Sequence, residues 1–195
     1  MRRGVVALAA LGAGCATGLE APPAPRAEAT ASPAALRNAG FEEPMQSGDR
    51  CPRGWGCTMH SNPESFRYFV VDGGAAEGRR SLCIERVADE PWALATQRAA
   101  PEALRGRRVR LSMAVRGEGL SGAGVGPWIL VAGRPRVHES RVVKARGEWQ
   151  RLAVEIAVPA GAQAIEVGAT LEGGGKACLD DVRLEVLEAT KEARP

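Results

Sequence analysis

The sequence predicts an all-β protein, an antiparallel β-sandwich of jelly-roll type, and three observations predict it. Its 195 residues include 24 glycines and 13 prolines but only eight aromatic residues, a balance that suits short strands joined by many turns. From Leu36 onward, short runs alternate apolar with polar residues, which is the period of a strand buried on one side. Glycine-rich turns separate these runs at short, regular spacing, as two packed sheets with one inward face each require.

In chain order, residues 1–15 form an export signal. Met1-Arg2-Arg3 is a short positive start, residues 5–13 are almost wholly apolar, and small residues lead into Cys15, the layout of a secretory signal. The apolar run is about half the roughly 20 residues that a spanning helix needs. Residues 16–35 are built from Ala, Pro, Thr, Ser and Glu without apolar periodicity. Such a segment has nothing to bury against its own conformational entropy and reads as a semi-extended leash.

Residues 36–188 read as one domain, followed by a tail at 189–195. The first strand lies at 67–71 and ends at Asp72-Gly73-Gly74; a second covers 81–87. A single helical turn is expected at 100–105, before a strand in which Val109, Leu111, Met113 and Val115 share one side. Residues 128–132 form a more continuously apolar strand. Leu152, Val154, Ile156 and Val158 then alternate with polar residues, a Pro-Ala-Gly-Ala turn follows, and Ile165, Val167, Ala169 and Leu171 alternate in the same way. A last strand covers 177–186, for eight or so in all, and no repeat or second change of composition marks another domain.

Charge and motifs exclude several function classes. The 26 basic and 23 acidic residues leave +3, spread along the chain, so no nucleic-acid footprint is legible. Only two histidines are present, His60 and His138, and no Gly-x-Ser-x-Gly elbow, phosphate loop or His-Glu-x-x-His occurs. Cys57 and His60 fit no zinc spacing. Glu166 and Glu172 form an acid pair of the kind used on glycosides, but on a strand face they read as solvated. No cofactor is required. Export places Cys51, Cys57, Cys83 and Cys178 where pairing is favoured. Cys51 and Cys57 flank a tight turn and make the natural local pair; Cys83 and Cys178 are then left to pair or to remain buried thiols.

Several pieces occur together in order: Asn38-Ala39-Gly40-Phe41-Glu42, Pro52-Arg53-Gly54-Trp55, Gly78 before Ser81-Leu82, Gln97, Leu104-Arg105-Gly106 before Val109, Trp149 opening a strand, Val158-Pro159 closing it, and Leu179-Asp180-Asp181-Val182. Across 36–186 this set resembles the cellulose-binding (family 4/9-like) and galactose-binding-like modules. The resemblance implies a sandwich with a structural calcium held by Glu42 with Asp180 or Asp181. It also implies a saccharide groove in which Trp92 and Trp128 stack on sugar faces, with Gln97 and Arg116 as polar groove residues, and core roles for Trp55 and Trp149. The run Leu11-Gly12-Ala13-Gly14-Cys15 resembles the lipobox of bacterial lipoproteins, which implies lipidation of Cys15. Gly12 stands where a large aliphatic residue is usual, so simple cleavage is the alternative.

The resulting expectation is a non-catalytic, monomeric binding module, exported and tethered to the bacterial cell envelope by its lipid anchor alone, with a saccharide or envelope glycan as ligand. The rival expectation is an envelope structural protein that meets another protein through the same sandwich. An enzyme or enzyme accessory subunit ranks third.

Overall fold

Strands with one apolar side must bury it, and ten of them do so here in two antiparallel sheets packed face to face. The computed structural model describes residues 36–187; the signal segment with Cys15, the leash and the tail lie outside the described residues. The first sheet runs in the order β1-β4-β9-β6-β7 and the second in the order β2-β3-β10-β5-β8. In chain order the strands are β1 (Gly56–Met59), β2 (Phe66–Asp72), β3 (Arg80–Arg86), β4 (Trp92–Ala99), β5 (Arg108–Glu118), β6 (Gly124–Gly133), β7 (Val137–Ser140), β8 (Gln150–Ala157), β9 (Ala162–Glu172) and β10 (Lys176–Leu187).

Between the sheets, Val125, Ile129, Ile165, Val167 and Leu171 of the first meet Leu82, Ile84, Leu111, Met113 and Leu179 of the second, all fully buried. Tyr68 ties the layers together at one edge. It sits on β2, and its hydroxyl lies 3.1 Å from Thr58 O and 3.0 Å from Leu94 O, carbonyls of the opposite sheet. Burial pushes its phenol well above the usual range, so it stays protonated and able to donate.

Three strands exceed the sequence expectation. The inward side of β4 is Ala93 and Ala95, and alanine neither favours strands nor contrasts strongly with its neighbours. β1 and β7 are four-residue edge strands, too short to display a period. β6 begins four residues ahead of Trp128, through Gly124, Gly126 and Pro127, which are poor strand formers. The expected helical turn is present, with the amides of Leu104 and Arg105 both donating to Pro101 O at 3.0 Å.

Both disulfides close, Cys51 with Cys57 and Cys83 with Cys178. The second joins directly opposed residues of β3 and β10. Two disulfides suit an exported, oxidising setting. Among the described residues no helix is long and apolar enough to cross a membrane.

Trp55 plugs the core as expected, its ring 5.0 Å from that of Phe41. Trp149 does not. It precedes β8 on the outward side of the second sheet, half-buried, with Arg116 stacked 4.7 Å above its ring and its indole N–H donating to Gly74 O. The β2–β3 loop folds over that side and offers the carbonyl, which draws the indole outward.

Candidate functional site

Strand parity decides which side chains share the outer face of the first sheet. With Ala93 and Ala95 inward, β4 turns Trp92, Leu94, Thr96 and Arg98 outward. With Ile165, Val167, Ala169 and Leu171 inward, β9 turns Glu166, Gly168, Thr170 and Glu172 outward. β6 contributes Gly126, Trp128 and Leu130. Register sets the rows: Trp128 beside Gly168 beside Thr96, and Gly124 beside Glu172 beside Trp92. The two tryptophans thus stand two strands and four residues apart on one face, a separation of about 16 Å at standard sheet spacings.

The sheet curls around this face. A Cβ at Gly168 would lie 2.0 Å from Ala95 O, and one at Gly126 would lie 1.8 Å from Arg141 O, so the flanking backbones fold in over the outward side of both positions. Only glycine permits that approach.

Both histidines of the chain sit on this face, one against each tryptophan. His60 follows β1, its amide donating to Trp92 O, and its ring meets that of Trp92 nearly edge-on at 5.8 Å. His138 on β7 lies 5.5 Å from the Trp128 ring. Glu90, almost fully buried, accepts from the Ser61 amide at 2.7 Å and hydroxyl at 2.9 Å and lies 2.8 Å from His60 Nδ1. Burial opposes its ionisation, but the hydrogen bonds from Ser61 and His60 outweigh that and hold its carboxyl below the usual range. An ionised carboxylate only accepts, so in this hydrogen bond the proton lies on His60 Nδ1. At the other end Thr96 Oγ1 donates to Glu166 Oε1 at 2.5 Å.

Two residues expected in a groove lie elsewhere. Gln97 has the inward parity of β4 at the sandwich edge, where its amide receives Arg37 N at 2.6 Å and donates to Arg37 O at 2.9 Å. It clamps the segment that leads into the domain. Arg116 belongs to β5 in the opposite sheet and stacks on Trp149. Sequence reasoning missed His60, His138 and Thr96 as companions of the tryptophans. The period-two offset of Thr96 from Trp92 was legible once β4 was placed; the histidines come from edge strands too short to read.

The acids expected to hold calcium are already engaged. Glu42 Oε1 accepts the amides of Arg79 and Arg80 at 2.7 and 3.1 Å. Asp180 Oδ2 accepts those of Ala76 and Glu77, and its Oδ1 accepts Asp181 N. The Asp181 carboxylate is held by the guanidinium groups of Arg151 and Arg183. N–H donors and two cations occupy the directions from which a metal would approach, and among the described residues no three His, Cys, Asp or Glu side chains converge. The residues present do not fit a calcium site.

Cys57 is bonded to Cys51 and cannot act as a thiol beside His60. Glu166 and Glu172 both face outward on β9, but six strand residues separate them by about 20 Å, beyond the roughly 5–9.5 Å of a glycosidase pair. A separate cleft of about 540 Å³ opens at the sandwich edge between β1 and β2, lined by Met59, Phe66 and Tyr68 with Arg50 and Glu64 at its rim. It lies away from the tryptophan face.

No protein-family model matches the sequence, and no curated protein matches it. Solved structures share its fold. The CBM22-1 xylan-binding domain from Paenibacillus barcinonensis Xyn10C is 14% identical at a TM-score of 0.59, over 82% of this chain and 97% of that one. The C-terminal family 22 carbohydrate binding module of Clostridium thermocellum Xyn10B is 16% identical at 0.51, over 72% and 89%. TmCBM61, solved with β-1,4-galactotriose, is 21% identical at 0.51, over 76% and 95%. The chain therefore has the jelly-roll fold of carbohydrate-binding modules.

Proposed function

We propose that this chain is a non-catalytic saccharide-binding module, exported and held at the cell envelope by a lipid on Cys15, and that its ligand lies along the curled outer face of the first sheet. The observation that carries the reading is the pairing of Trp92 and Trp128 on that face, about 16 Å apart by strand spacing. That span suits an oligosaccharide bridging two stacking platforms. Thr58 and Glu172 supply a hydroxyl and a carboxylate on the same side, and the histidines buttress the rings. A flat ring offers area to a sugar's C–H face while polar neighbours fix orientation. The fold likeness supports the class of ligand, since the neighbours are described as binding xylan and galactotriose.

The test uses the chain from Ala16 onward, titrated calorimetrically with xylan, β-1,4-galactan and envelope-glycan oligosaccharides. We expect binding to at least one, weakened about tenfold or more (~1.4 kcal/mol) by Trp92→Ala and by Trp128→Ala. Absence of binding across such a panel at millimolar ligand, or full affinity in both variants, overturns the reading.

A further inference from the structure

We infer that one end of the sandwich is a docking surface for an anionic phospholipid bilayer, and that it faces the membrane from which the chain is tethered. Arginines that are scattered in sequence gather there. The loop between β4 and β5 carries Arg105 and Arg107, β5 opens with Arg108, β4 closes with Arg98, and the β6–β7 turn carries Arg134 and Arg136. Three contacts bring these segments together: Arg105 Nε donates to Ala162 O at 2.7 Å, Val158 N donates to Arg107 O at 2.8 Å, and a Cβ at Gly161 would lie 3.1 Å from Arg134 O. All six side chains are exposed. Against them stand Glu102, near Arg105, Glu155, which Arg108 shares with Arg110, and Glu166, directly opposite Arg98 on β9. Arg98, Arg107, Arg134 and Arg136 make no ion pair among the described residues.

The placement of the chain ends commits this patch to a lipid surface. Arg37 is clamped by Gln97, one residue from Arg98, so the segment that follows the leash joins the domain at the arginine-rich end. The last described residue, Leu187, pairs with Arg108 at the same end. On the tethered reading, the chain from Cys15 enters the domain at this end. Arginines near an anionic leaflet are drawn to it over about a Debye length, roughly 8–10 Å at moderate salt. Acyl chains alone anchor without orienting; the patch orients. Trp92 opens β4 at the opposite end from Arg98, so docking leaves that end of the saccharide face turned away from the membrane.

The inference rests on the tethered-module reading, but its test needs neither acylation nor a sugar. The chain from Ala16 onward, with all ten strands and both disulfides, is co-sedimented with vesicles of phosphatidylglycerol and phosphatidylcholine and with vesicles of phosphatidylcholine alone. We expect binding to the anionic vesicles only, falling tenfold or more between 0.01 M and 0.5 M salt, as the Debye length shrinks from about 30 Å to about 4 Å. A variant combining Arg107→Glu, Arg134→Glu and Arg136→Glu, whose side chains hold no structural contact, should bind at least tenfold less, keep the parent melting temperature, and keep any saccharide affinity. Lys144→Glu, away from this end, should bind like the parent. Equal binding to neutral vesicles, undiminished binding by the threefold variant, or binding to soluble polyanions without binding to vesicles overturns the inference. Failure of the saccharide titration with intact vesicle binding would instead count against the ligand reading.

Discussion

Gln97 shows how a polar residue at a plausible groove position is claimed by structure. Its carboxamide presents an acceptor and a donor spaced to match one residue's N–H and C=O, and it spends both on Arg37. Gln97→Ala should lower unfolding free energy by about 1–2 kcal/mol while leaving saccharide affinity unchanged, which chemical denaturation and calorimetry together check. Weakened sugar binding at unchanged stability would return Gln97 to the groove. The tryptophans differ because indole has one N–H and a large apolar body. Trp149 finds a carbonyl and an arginine on the far sheet, whereas Trp92 and Trp128 pack edge and face against histidines and keep part of each ring open.

At the scale of strands, the candidate face depends on β9. Its inward residues are large, but its outward side includes Gly168, where the neighbouring backbone leaves no room for a side chain. Gly168→Ala should cost about 1–3 kcal/mol through overpacking, with loss of ligand affinity as the curl opens; an unchanged denaturation midpoint would contradict the account. The pairing of β3 with β10 is locked by Cys83–Cys178, which closes a loop of 95 residues. On the chain-entropy relation it contributes about 4–5 kcal/mol, against about 2 kcal/mol for Cys51–Cys57. Replacing each pair by alanine and comparing urea midpoints should reproduce that order.

For the molecule as a whole, acid stability follows from several carboxylates held ionised. Amides of Arg79 and Arg80 depress Glu42, Lys176 depresses Glu118, and Arg110 depresses Glu155. Groups whose folded values lie below the ordinary 4.5 contribute stability that is complete above that pH and is lost as pH falls through the folded values. Asp180 acts in the opposite sense, because burial raises its value and protonation relieves it. The depressed groups outnumber it, so urea midpoints should hold from pH 7 down to about 5 and then fall. Excess calcium or a chelator should leave the melting temperature where it is, because amides and guanidinium groups already neutralise the acids; a rise with calcium would show a metal site.

The all-β class, the two-sheet architecture and most strands were legible in the sequence, because period-two burial is a local pattern that each strand carries by itself. Trp92 and Trp128 were candidates through the family resemblance, which assigned Trp55 and Trp149 to the core and left these two for the ligand. Tertiary structure alone decided that these two share a curled face with both histidines, that Arg116 lies on the other sheet and Gln97 turns inward, and that scattered arginines converge on one end. Those outcomes depend on register and on which strands become neighbours. Such pairings are set by contacts between residues up to a hundred positions apart, and no local period encodes them.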